Sequence, residues 1–226
     1  MAETVKRGPG RPRALPLAEQ RDAVLVAARR VFAEHGYRGA TIERVAREAH
    51  TPRPTVYELF GGKDDLFRAV VDDAADRIVA RLSASFGESA DYPLPAFVRH
   101  NFAAVFELFE QDGDAMTVLI HAERGNLDPP MFAAEETRRR VLAEVNGYTR
   151  SRWENAGLDI GDANEIMAVM FFRMAEGVAV RQVEDGNWDR EALIDLLTEF
   201  TVGGLERLLQ HAGHLIEAAG RRARKG

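Results

Sequence analysis

From about residue 17 onward, apolar residues recur at helical spacing, and no run alternates with the two-residue period of a strand. Val24, Leu25, Ala28, Val31 and Phe32 predict a first helix over about 17–35, with Gly36 placed to end it in a left-handed conformation. Ile42, Val45, Ala46 and Ala49 fall at i, i+3, i+4 and i+7, one stripe of a short second helix. Thr41 stands before that stripe as an N-cap, and Glu43 sits in the first turn, where the helix dipole favours an anion. A four-residue turn, His50-Thr51-Pro52-Arg53, leads to a third apolar face formed by Val56, Tyr57 and Phe60. A residue before proline is driven away from α geometry, whereas proline suits the first helical position. The third helix is therefore predicted to start at Pro54 with Arg53 at its N-cap. A long helix follows from Lys63 to about Phe86, with Leu66, Val70, Ala74, Ile78 and Leu82 on one side. Further helices are predicted at about 94–110, 114–124, 129–156, 162–185 and 189–219, separated by Gly-, Asp- and Asn-containing breaks.

Two short helices joined by a tight turn form a helix-turn-helix, whose second helix enters the DNA major groove. The runs TIERVAREA, TVYELF and GGKDDLF, with Phe32, Gly36 and Tyr37 upstream, resemble the DNA-binding domain of the TetR (tetracycline-repressor-like) family of bacterial transcriptional regulators. The resemblance spans roughly Ala18 to Val70. It implies an all-α protein: a flexible basic arm over residues 1–16, a three-helix DNA-binding domain over 17–62, and a larger effector-binding and dimerisation bundle over 63–226. It also implies DNA contacts from Thr41, Arg53, Thr55, Tyr57 and Lys63, and a homodimer on a palindromic operator. The function implied is a ligand-responsive regulator, a repressor released by a small-molecule effector. The chain departs from the family pattern in its turn. His50 stands where most members have Gly, and Pro54 has no amide hydrogen to offer a phosphate.

Charge sharpens this division. Residues 1–63 hold 12 Lys/Arg against 7 Asp/Glu, a net of +5; residues 64–226 hold 18 against 29, a net of −11. A basic head on an acidic body concentrates the attraction for phosphate at one end. Within the arm, Arg11 and Arg13 flank Pro12 in a Gly-Arg-Pro tract that resembles the core of AT-hook segments, which lay arginines along a narrow minor groove. That arm keeps a second reading open, an architectural protein of A·T-rich DNA.

The chain has no cysteine, and its longest apolar run, Ile166 to Phe172, is too short to span a bilayer. A cytoplasmic location is expected. No phosphate loop, zinc-binding helix or activated nucleophile is present, so no enzyme activity, metal or cofactor is expected, although a helical enzyme or carrier using a body cavity remains a third reading. His211 and His214 have helical spacing but lack a third ligand. The body is rich in large soft side chains, of which Phe102, Phe106, Met116, His121, Trp153, Met170 and Met174 are assigned to an effector pocket between helices. The last two long helices carry apolar residues on more than one side and are assigned to the dimer, with Leu197 and Leu205 at the seam.

Overall fold

The computed structural model describes residues 16–123, 131–155, 160–211 and 213–219, the side chains of 121, 123, 131–138 and 217 excepted. Ten helices are found among them, and no strand: α1 (Leu17–Gly39), α2 (Ile42–Glu48), α3 (Arg53–Phe60), α4 (Lys63–Glu88), α5 (Leu94–Gln111), α6 (Gly113–Glu123), α7 (Met131–Asn155), α8 (Ala163–Asp185), α9 (Arg190–His211) and α10 (Gly213–Ala219). The segment predicted as one helix over 189–219 is thus two, α9 and α10. Gly36 breaks α1 with φ 64° and ψ 175°, so the positive φ is as expected while ψ lies outside the left-handed helical basin.

Helices α1 to α3 form the head, and α4 is common to head and body. Near its start, the buried Phe67 meets Phe32 edge-on at 4.9 Å and Tyr37 at 5.1 Å. Further along, Ile78, Leu82 and Phe86 enter the core of the body, where α4 packs along α7 and α5 packs along α9. One apolar core runs without interruption from Val24 of α1 to Val202 of α9. Head and body are also joined by charge. The buried Arg29 of α1 bonds Asp73 of α4 at 3.0 Å and lies 3.7 Å from Asp112 after α5, while Arg77 bonds the same two carboxylates. Hydrophobic patterning does not reveal this grouping, although Arg29 stands four residues after Leu25, on the edge of the apolar stripe.

The outer surface of α8 reverses the usual order. Its fully buried apolar residues are alanines, among them Ala168, Ala175 and Ala179, with Phe171, Phe172 and Met174 only partly buried against the core, while Ile166 and Met170 are 52% and 59% exposed. On α9, Leu196 and Phe200 are 66% and 70% exposed, and the following Gly203 and Gly204 open onto empty space. Leu197 and Leu205 do share a face of α9, but it is the face turned inward on the chain's own core, where both are buried. The assignment of these two leucines to a dimer seam is therefore wrong, and the large apolar residues that α9 leaves exposed are Leu196 and Phe200. Met170, placed inside a pocket from the sequence, lies on the outer face of α8.

Candidate functional site

The head is built as its residues dictate. Thr41 is extended and its Oγ1 accepts a hydrogen bond from the Arg44 amide at 3.2 Å, an N-cap worth about 1 kcal/mol. His50 has φ 50°, the one non-glycine residue with positive φ among those described, so the turn keeps the left-handed geometry that glycine would supply. The Pro52 carbonyl accepts from the amides of Thr55 and Val56 at 3.0 and 3.3 Å. That makes Pro52 the N-cap of α3, with Arg53 and Pro54 its first two residues, one residue earlier than the sequence predicts. Arg53 is thus helical in spite of Pro54, whose ring disfavours that geometry in the residue before it. Val56 and Phe60 point inward, and Tyr57 is 40% exposed.

Three of the five head residues assigned from the sequence are tied into two exposed clusters. Arg53 bonds Glu43 at 2.7 Å and the Tyr57 hydroxyl at 3.2 Å, and its guanidinium lies 5.4 Å from the Tyr57 ring centre. The Glu43 carboxyl is held below its usual range, first by its own backbone amide and then by the Arg53 charge. Lys63, the first residue of α4, sits 4.4 Å from the Tyr37 ring centre and donates to the Arg38 carbonyl at 3.5 Å. Tyr37 donates a hydrogen bond to Asp64, and burial together with that carboxylate pushes its hydroxyl pKa up to about 12. Thr41 is exposed and Thr55 half-buried. Arg11 and Arg13 lie outside the described residues. Sequence reasoning does not single out Glu43 or Tyr37 as site residues; the signal for Glu43 is its first-turn position, ten residues before Arg53.

In the body, a cavity of about 70 Å³ lies among α4, α5, α7, α8 and α9. Leu82, Phe86, Phe97, Val98, Phe102, Val105, Phe171 and Phe172 form most of its wall, and Asn101, Thr149 and Thr201 are the polar residues there among those described. Of the seven pocket residues assigned from the sequence, Phe102 lines it. Phe106, Met116 and Trp153 are buried elsewhere in the body, Met174 packs partly buried against the core, and the His121 side chain lies outside the described residues. Apolar content marks which side chains are interior; it does not tell a wall of the cavity from solid core. Among the described residues no group of three or more His, Cys, Asp or Glu is placed to hold a metal ion. No helix among them is long and apolar enough to cross a membrane.

Fold and head together define a helix-turn-helix protein with a C-terminal helical body. Residues 24–70 match the family model described as bacterial regulatory proteins, tetR family. That match covers the head, which is thus similar to the DNA-binding domain of that family. It is 23% identical over 198 residues to the HTH-type transcriptional activator FasR of Mycolicibacterium smegmatis, covering 86% of each chain. The HTH-type transcriptional repressor AcnR of Corynebacterium efficiens is 40% identical over 63 residues, 28% of this chain and 34% of that protein. Among solved structures, the transcriptional regulator FadR of Bacillus subtilis in complex with stearoyl-CoA superposes with a TM-score of 0.68 at 19% identity, covering 81% of this chain and 98% of that one.

Proposed function

We propose that the protein is a ligand-responsive transcriptional regulator, a homodimeric repressor released from a palindromic operator by a small, largely apolar effector. The observation that carries this reading is the capped α2, left-handed His50 turn and short α3, which leave Arg53 and Tyr57 on one exposed surface with Lys63 at the start of the next helix. Residues 17–62 act as the DNA-binding unit, residues 63–226 as the effector and dimer unit, and residues 1–16 as a basic arm. The opening turns of α4 pack with both units. Arg53 reaches base edges or phosphate, and Thr41, Thr55, Tyr57 and Lys63 fix the head on the backbone. The exposed apolar surface of α8 and α9 supports the dimer, since monomeric proteins rarely leave such residues together in water. The FadR complex with stearoyl-CoA and the hydrocarbon wall of the cavity support an apolar effector.

A ligand larger than the cavity has to move its walls. Leu82 and Phe86 belong to α4, the helix whose other end holds Lys63 and Phe67 against the head, so displacement there changes the position of α3. The Arg29–Asp73–Asp112–Arg77 group makes α1 follow α4. A coupling of about 1–3 kcal/mol changes operator affinity about 5- to 150-fold.

The test is DNA affinity as a function of salt, on DNA flanking the protein's own gene. Arg53→Ala and Lys63→Ala are each expected to weaken binding and to reduce the log–log salt slope by about 0.9 for each phosphate that is no longer neutralised. An unchanged affinity and slope in both variants would remove them from the DNA face. Glu43→Gln has the opposite sign. It releases Arg53 from its 2.7 Å partner and removes a negative charge near phosphate, so affinity should rise, by up to about 5-fold. Fluorescence anisotropy at low salt reads this directly, and weaker binding by the variant would mean that Glu43 positions Arg53 instead of competing for it.

A further inference from the structure

The outer face of α3 presents one side chain that the DNA contacts proposed above leave unused. Val56 and Phe60 turn inward, and Arg53, Pro54, Tyr57 and Glu58 are exposed. Residues four apart are neighbours on a helix, so these form two strips. Arg53 and Tyr57 make the first, joined to each other at 3.2 Å and, through Arg53, to Glu43 of α2 at 2.7 Å. Pro54 and Glu58 make the second. Among the described residues, none bonds or neutralises the Glu58 carboxylate.

That carboxylate works against the charge of the head. Residues 1–63 carry a net charge of +5, yet α3 itself is neutral, one arginine against one glutamate. A helix in the major groove lies between two rows of phosphates, which repel a carboxylate unless a donor on a base edge meets it. Cytosine alone shows that groove a donor with no acceptor beside it, its N4 amino group. Adenine sets N7 next to its amino group, while guanine and thymine offer acceptors, so each of these places an acceptor against a carboxylate.

We propose that Glu58 reads a cytosine in each half of the operator, its carboxylate accepting a hydrogen bond from the N4 amino group. The proposal rests on the reading of α3 as the recognition helix, and it adds the residue and the base. Phosphate attraction is left to Lys63 and to the strip that carries Arg53. Glu58 sharpens the choice of base while lowering affinity for DNA in general.

Selection from a pool of random DNA duplexes, read by sequencing what the full-length protein retains, tests this without an operator in hand. The wild type is expected to enrich a two-fold symmetric site with cytosine at one position of each half, favoured about 5- to 150-fold over other bases, the range of one good base contact. Glu58→Ala should enrich the same site with that position alone made indifferent. Glu58→Gln should move the preference there toward adenine, whose N6 and N7 an amide pairs with in two bonds. Both variants should fold as the wild type does, since Glu58 is exposed and its carboxylate bonds nothing among the described residues. An unchanged base profile in both variants, with affinity raised equally for every duplex, would make Glu58 a solvated charge and overturn the proposal while α3 keeps its recognition role. A single altered position that is not cytosine in the wild type overturns the choice of base. Loss of all enrichment in the variants, or change spread over the whole half-site, would mean that Glu58 holds α3 in place and likewise overturns it. If the wild type itself enriches no symmetric site, the reading of α3 fails and this proposal with it.

Discussion

The double variant Leu196→Glu/Phe200→Glu is expected to sediment as a monomer and to lose operator binding while remaining folded. Both side chains are largely exposed in the single chain, so their replacement removes little of its own core. In a dimer that closes over α8 and α9, the same change puts carboxylates into an apolar seam beside Ile166 and Met170, at a cost of several kcal/mol unless water reaches them. A single head then engages half of the operator, and affinity falls with it. Gly203 and Gly204 add to the expectation, because no atom of the chain limits the approach of another helix there. The matched control is Leu197→Glu, which should unfold the protein instead, since Leu197 is buried within its own chain. Circular dichroism separates the two outcomes, and a double variant that still sediments as a dimer with full affinity places the seam elsewhere.

Phe67→Ala is expected to destabilise the whole protein by about 3–5 kcal/mol, the usual cost of emptying a buried aromatic site. Phe67 is 2% exposed and packs against Phe32 and Tyr37, so the void opens where the first turns of α4 meet the head. If α4 belongs to both units, the effect also has a location. Amide exchange should quicken in α1 and α2 and along the start of α4, while α5 and α9 keep their protection relative to global unfolding. A small loss in urea titration, with exchange unchanged in the head, would mean that the head stands without α4.

The helices and the turn of the head can be read directly from residue types. A threonine before an apolar stripe and a proline at a helix start each have few conformations open to them, while the Gly-Gly pair before Lys63 admits the positive φ that other residues avoid, and the structure uses these conformations at all three places. Arg53 shows the limit of such reasoning: the neighbouring proline argues against a helical Arg53, yet Arg53 is the first residue of α3, the bias from one proline being too weak to exclude it. The body is less legible for a different reason. Periodicity identifies an apolar face without saying what covers it. Leu197 and Leu205 lie on one face of α9, as their spacing predicts, and that face packs on α5. Helix α8 is harder still, because its fully buried apolar positions are alanines, its large residues Phe171, Phe172 and Met174 are only partly buried, and Ile166 and Met170 lie outside, so size does not mark the inner face. The cavity depends on gaps between five helices, and Phe102 alone among the residues assigned to it lines that space.

The central claim, that this chain reads a specific palindrome as a dimer, is tested most directly by footprinting on the DNA that flanks its own gene. The expected result is protection of one two-fold symmetric site, its half-sites separated by about one helical turn of 10–10.5 base pairs or a multiple of it. Loss of that protection in Leu196→Glu/Phe200→Glu and its weakening in Arg53→Ala should follow. Protection spread evenly over A·T-rich stretches without a symmetric site, or none at any protein concentration, would contradict it.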